Sequence, residues 1–576
     1  MCKRISLFSI LAVLLHTTVP VVAGIPEQLE QAERLCATGR LADAEQVYRS
    51  LVEQANTADQ KNKMQRKLAA LLAVQGKLSS ARDVVETVLA GHAEHERLPH
   101  AIHEIAETCN KYGMALKAAQ IYQEILHDQP DRTDAIWLVM GQAIGQAYSG
   151  TRDPSWGARD KLLFGYTNDS RTAEAVAQLA WCYRKMGKLE DARVLYRYVI
   201  DTWPRGERVI FTMRGLILAD ISLEDWAAAK VDIAEMLQKY SQDPRFAQSL
   251  GKVAEAYRKK ERFVDSRDLH QSIVDNYADS EQAIWSLRGV ILSNIGLGDD
   301  SAVDNGIQDL LSGFAEHPNL PGTLYQIARK LNDRNSAQAQ QLYELIVGAH
   351  GDDEHAVLAM ANLGGLKVRQ QDQTAARKIF DQTLTQYKDR PILPKAVALM
   401  AEAYYEQAIR KDLPMSFRKE HYRKALSEWE RVIEQFDEVP YTTAMAHYFA
   451  GVCHRRLGEY DEAIEYFSAV TEKWPDFVYA WSAQCLTGSC YEKLRDSQAI
   501  LYDRGTDLME EAYRRVIERY PDCSEVPVAS MKLGELCLRR GERNEAIEYF
   551  KLFMEKAHPS DSRRRKVEAH LKRLGG

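Results

Sequence analysis

Four histidines crowd into one short stretch, "GHAEHERLPHAIHE", at His92, His95, His100 and His103. Each pair is spaced by three, which on a helix can aim two imidazoles the same way, as a zinc site would use them. Zinc also needs ligands that converge, and a turn followed by Pro99 does not provide that. The stretch reads as a histidine-rich turn before a helix, with no metal and no cofactor expected. Eight cysteines follow residue 23: Cys36, Cys109, Cys182, Cys453, Cys485, Cys490, Cys523 and Cys537. An even count in an exported chain would suggest disulfides. Yet Cys36, Cys109 and Cys182 fall 73 residues apart. Equivalent points on packed helices sit ~8–10 Å apart, whereas a disulfide needs Cα atoms within ~7 Å. The thiols therefore read as small buried side chains, with a bridge from Cys523 to Cys485 or Cys490 as the exception to check. No phosphate-binding Gly loop, G-x-S-x-G elbow, H-E-x-x-H or C-x-x-C occurs. No catalytic residue is assigned, and the chain reads as non-enzymatic.

The remaining candidates are cations. Basic pairs recur at Arg184-Lys185, Arg258-Lys259, Arg455-Arg456 and Arg539-Arg540, joined by Lys111. A ladder of this kind could hold an acidic peptide, a C-terminal carboxylate or an anionic polymer. The plainer reading is electrostatic: cations near a helix C-terminus stabilise it by ~0.3–1 kcal/mol and accumulate there anyway. The Arg563–Lys566 cluster reads as a solvated cap.

What must position these residues is a repeat. "GKLEDARVLYRYVIDTWP" at 187–204 returns as "GEYDEAIEYFSAVTEKWP" at 458–475. The alanine of the second, Ala463, has counterparts at Ala44, Ala81, Ala118, Ala192, Ala229, Ser266, Ala339, Ala376, Ala425, Met509 and Ala546. Early steps are 37 or 74 residues, so the period is about 37. A large side chain follows four residues later, as at Tyr48, Tyr122, Tyr196, Phe380, Trp429 and Phe467, and another apolar one three further on. Those spacings share one helix face. An upstream helical segment ends at Gly, and Pro130, Pro204, Pro475 and Pro521 stop the second helix. Each unit is a helix–turn–helix, and the small anchor lets its helices approach closely. About fourteen copies fit, two of them degenerate, near Ala158 and Asp304. Insertions fall near 404–421 and 490–508. Residues 561–576 form a polar, basic capping helix and tail, as a repeat array requires.

These units resemble tetratricopeptide repeats. Residues 444–475 carry the pattern as Gly451, Gly458, Tyr460, Ala463, Phe467, Val470 and Pro475. The resemblance implies an all-α, right-handed superhelical solenoid whose first helices line a concave face and bind partner segments there. "YRYVIDTWP", "YRRVIERYPD" and "IVDNYADS" are similar to bacterial cell-envelope members, among them the barrel-assembly lipoprotein of the outer membrane and the periplasmic coordinator of the Tol–Pal system. That likeness implies a scaffold in envelope assembly, secretion or polysaccharide export.

The N-terminus agrees with export. Lys3 and Arg4 precede an apolar run from Ile5 to Leu15, then "TTVPVVAG". This is a secretory signal over residues 1–23, with the repeats over 24–560. The run is shorter than the roughly 20 apolar residues a bilayer span needs; an uncleaved anchor is the alternative. No later segment is apolar enough to cross, so the expected location is the periplasm or the outer-membrane surface. At 576 residues the chain exceeds one compact core. Its net charge of −7 becomes −9 without the leader, which removes two basic and no acidic residues. That argues against nucleic acid as a partner and leaves proteins, or alternatively an anionic glycan bound by the basic ladder.

Overall fold

The computed structural model describes residues 25–37, 40–92, 98–150, 157–436, 440–521 and 523–575. The expected leader at 1–23 and His95 lie outside the described residues, as does the side chain of His92. Among the described residues every regular element is an α-helix, and there are 29. They run as fourteen consecutive helix–turn–helix pairs plus a closing helix, α29 (Arg564–Leu574). The chain is an all-α helical repeat array. The two degenerate copies form pairs like the rest, with second helices α8 (Ala158–Gly165) and α16 (Asp300–Gly313).

The small anchors explain the pairing. Ala44, Ala81, Ala118, Ala192, Ala229, Ser266, Ala339, Ala376, Ala425, Ala463 and Ala546 are all fully buried, and Met509 almost so. The turn inside most pairs holds a left-handed residue, and over seven successive pairs these residues count the repeat directly. Positive φ occurs at Gly76, Gly113, Gly150, Gly187, Glu224, Glu261 and Gly298, each 37 residues after the last. Several second helices open on an aspartate whose carboxylate accepts an orphan backbone N–H, as Asp225 does from Ala228 at 3.1 Å and Asp299 from Ala302 at 2.9 Å.

A second period overlies the first. The first helices α7 (Ala135–Ser149), α11 (Val209–Leu223) and α15 (Gln282–Leu297) lie 74 residues apart and are apolar almost all round. Trp137, Phe211 and Trp285 correspond in them, as do Gly141, Gly215 and Gly289. The glycines admit a ring from the preceding helix. A Cβ on Gly215 would stand 2.6 Å from the Tyr196 ring, and one on Gly289 2.3 Å from His270. The first helices between them, α9 (Thr172–Lys185) and α13 (Phe246–Lys259), are amphipathic instead.

The helices group into two compact units, residues 1–249 and 250–576, with the boundary inside α13. Within the first unit neighbouring first helices pack against one another, as α7 does against α9. In the second unit one apolar core runs from Ile284 to Cys453, and smaller ones follow around Phe467, Tyr513 and Phe550. α29 closes that unit by burying Val567 and stacking His570 on Phe550 at 5.2 Å. The two insertions enter as extra helix. α21 (Leu393–Ile409) and α22 (Met415–Gln435) have 17 and 21 residues, and α25 (Ala480–Asp496) and α26 (Tyr502–Arg519) have 17 and 18.

Candidate binding face on the first helices

The basic ladder divides once its partners are seen. In the first unit Lys111, ending α5 (Leu98–Lys111), and Lys185, ending α9, line one cavity of about 470 Å³ with Lys188, Tyr148 and Glu107. The Lys185 ammonium stands 5.4 Å from the Trp181 ring centroid. Trp181 meets His103 edge-on at 5.1 Å, and the Tyr148 hydroxyl lies 3.4 Å from the His103 ring. His103 is buried, and burial lowers its pKa. It is a neutral packing residue, while His100 faces solvent. The histidines described here do not converge as metal ligands.

Arg184 is half-buried and lies against the Tyr196 hydroxyl, and its Nε is buried without a partner. A second guanidinium joins it. Arg214 of α11 sits over the Phe211 ring at 4.9 Å. Burial lowers the pKa of Arg214, and the charge of Arg184 lowers it further. Arg245 approaches Phe211 at 5.1 Å but is paired with Asp243 at 2.8 Å.

The second unit treats its arginines differently. Arg258 is held by both oxygens of Glu255, at 2.8 and 2.6 Å, and Lys259 is exposed. Arg288 of α15 sits over Trp285 at 4.9 Å and donates to Gln326 at 2.7 Å. Burial lowers the Arg288 pKa, the Glu255 charge opposes that, and the Arg258 charge adds to it. Arg455, in α23 (Pro440–Leu457), donates to Ser489 at 3.1 Å; Arg456 beside it is exposed. Arg539, in the last turn of α27 (Val526–Arg540), donates to the Glu535 carbonyl of its own helix at 3.4 Å, while Arg540 pairs with Glu510 and Asp507. The nine ladder residues thus form no continuous stripe of free charge. Arg214 and Arg288 were not among them. The signal for both lay in the 74-residue step that aligns "FTMRG" with "WSLRG".

Other groups belong to packing. All eight cysteines are free thiols and seven are buried. Burial pushes Cys109, Cys490 and Cys537 up to about 12, which keeps them protonated and poorly nucleophilic. Cys523 makes no bridge to Cys485 or Cys490. Among the described residues the one group with metal-ligand proximity is Cys537, Glu542 and Glu545, whose carboxylates are exposed. Inside the first unit Asp220 is fully buried beside Asp232, with Arg193 at 2.9 Å and Arg197 on Asp232. Burial raises the Asp220 carboxyl, and the hydrogen bond and charge of Asp232 raise it further, to about 7. A cleft of about 850 Å³ lies between α20 (Gln373–Gln386) and the lengthened α22, lined by Arg377, Lys378, Asp381 and Lys424. Lys424 there pairs with Glu420 at 2.7 Å, and Arg377 with Asp381 at 3.9 Å. Among the described residues no helix is long and apolar enough to cross a membrane.

Two segments match models of the tetratricopeptide repeat, residues 174–205 and 416–476. No curated protein matches the sequence. Solved structures with similar arrays include a tetratricopeptide repeat protein from Parabacteroides merdae, at 13% identity and TM-score 0.27. That match covers 51% of this chain and 100% of that one. Yeast Tom70 matches at 12% identity and TM-score 0.33, covering 90% and 97%. The Naa15/Naa10 assembly bound to HypK-THB matches at 12% and 0.35, covering 96% of each chain. Scores this low assign neither function nor partner. The first matched segment is the pair formed by α9 and the helix after it, the second runs from α22 through the pair that α23 opens, and over these residues the chain carries tetratricopeptide repeats.

Proposed function

We propose that this chain is a non-enzymatic protein-interaction scaffold that binds extended partner segments along the face of its first helices. The observation that carries the reading is the repeat itself. Helix pairs that bury their apolar stripes only by stacking leave a row of first helices as recognition surface. In the first unit that row bears Lys111 and Lys185, which share a cavity with Glu107, and Arg184 beside Arg214. The buried, protonated thiols favour no reaction in its place.

The leader-like N-terminus and the envelope-like repeat phrases support a finer proposal: export to a bacterial cell envelope, with partners from envelope assembly, secretion or polysaccharide export. In-cell crosslinking of a C-terminally tagged chain, followed by mass spectrometry of the envelope fraction, tests both parts. A defined set of crosslinked envelope proteins is expected. Recovery of no protein from any fraction overturns the scaffold, and partners confined to the cytoplasm overturn the location. The alternative, an anionic glycan on the basic ladder, predicts polysaccharide without protein.

A further inference from the structure

The 74-residue step places two versions of one arrangement in the same chain. Arg184 and Arg214 correspond to Arg258 and Arg288, and Phe211 to Trp285. Each later arginine stands over the ring three residues before it, at 4.9 Å in both units. In each case a second arginine, ending the preceding first helix, adds its charge. One position differs decisively. Glu255, which grips Arg258 with both oxygens, has Trp181 as its counterpart. Among the described residues no carboxylate pairs with Arg184 or Arg214, and the Arg184 Nε is buried without a partner. On the same helix the Gln178 amide nitrogen is also buried and unpartnered.

Two guanidinium groups of like charge, each half removed from water, are unfavourable unless an anion joins them. The planar fork of arginine suits a carboxylate, which it holds through two parallel hydrogen bonds. We infer that Arg184 and Arg214 form a subsite for a glutamate or aspartate side chain of an extended partner segment lying across the first helices of the first unit. Glu255 is this chain's own example of the ligand: a carboxylate side chain already fills the corresponding place in the second unit. Lys185 is the next residue along and opens into the cavity shared with Lys111, so successive acidic residues in the segment would meet successive cations. The inference rests on the scaffold reading and names the chemistry of the partner.

The test uses the full chain and a short peptide alternating Glu and Ala, acetylated and amidated so that only side chains carry carboxylates. Binding is followed by calorimetry at low ionic strength. The wild type binds it and does not bind the Gln/Ala counterpart. Arg184→Gln combined with Arg214→Gln weakens binding about tenfold or more, the worth of one charge-assisted hydrogen bond. Arg258→Gln with Arg288→Gln leaves it unchanged. Trp181→Glu supplies an internal carboxylate and removes binding with both arginines in place, which guards against a double variant that misfolds. No binding by the wild type, or equal loss in the two double variants, overturns the inference. So does binding of polygalacturonate but not of the peptide, which would assign the arginines to a glycan. Crosslinked partners that persist in Arg184→Gln/Arg214→Gln overturn this subsite and leave the scaffold standing.

Discussion

The stretch from α9 to α12 (Trp226–Tyr240) and the stretch from α13 to α16, 74 residues later, share a frame and disagree about charge. The frame is apolar and small: Gly215 and Gly289, Ile210 and Ile284, Ile221 and Ile295. The charges move freely upon it. Asp220 and Asp232, buried together in the first stretch, become Asn294 and Gly306 in the second. Arg197, which holds Asp232, becomes Gln271. On the first-helix face the change runs the other way, since Trp181 becomes Glu255. One copy thus buries a carboxyl pair inside and leaves both arginines without a carboxylate outside; the other is neutral inside and pairs one of its two arginines, Arg258, with Glu255. Packing fixes where side chains stand, and the unmatched charge marks the copy equipped to bind something else.

The largest expected effect comes from the interior. Asp220 stays protonated in the fold up to about pH 7, whereas in the unfolded chain it ionises near 4. Between those values the folded state holds more protons, so stability falls as pH rises through the window and is level above it. Asp220→Asn, which copies Asn294, abolishes that slope. The gain at neutral pH is bounded by about 4 kcal/mol, from three pH units at ~1.4 each, and the Arg193 contact reduces it. Thermal unfolding of wild type and variant between pH 4 and 8 measures it; parallel curves would refute the assignment.

The shared frame is tested next. Gly215→Ala and Gly289→Ala each drive a methyl group into a ring that already fills the space. Each should cost about 1–3 kcal/mol, seen as a lower denaturation midpoint. A large effect in one stretch and none in the other would mean that the two copies pack differently. Glu255→Gln is milder. Its pair with Arg258 is partly exposed, at 33% and 22%, so about 1 kcal/mol is lost. The same change should create a second equivalent of Glu/Ala-peptide binding, counted by titration.

How much of this was legible follows from where the information lies. The 37-residue period, the buried anchors and the helix pairing depend on spacing along one chain, and spacing is what a sequence displays. The 74-residue period was just as visible in "FTMRG" and "WSLRG", but the anchor alanines recur every 37 residues and hide it. The binding face was harder to read. Lys111 and Lys185 line one cavity. Arg258 and Arg540 carry the same basic motif, yet each is paired with a carboxylate of its own unit. "EAYRKK" at 255–260 shows the local pair at i and i+3. The partners of Arg540 lie about 30 residues away and emerge only when helices pack. Whether a cation is free is a property of its neighbours, and a basic motif alone does not carry it.

The smallest effect concerns the turns, where the copies differ in how well the residue suits its backbone. Gly187 and Gly298 adopt positive φ without a Cβ penalty, but Glu261 and Gln371 hold φ of 58° and 62° at equivalent turns. A left-handed conformation costs an L-residue roughly 1–2 kcal/mol, and glycine escapes it while losing more entropy on folding. Glu261→Gly and Gln371→Gly should therefore stabilise by about 0.5–1 kcal/mol, and Gly187→Ala should destabilise by about 1 kcal/mol, each read from urea midpoints at unchanged slope. The sign is the informative part. If Glu261→Gly destabilised the protein, the glutamate would be supplying a contact worth more than its strain, and that turn, just beyond Arg258 and Lys259, would become part of the charge balance that separates the second copy from the first.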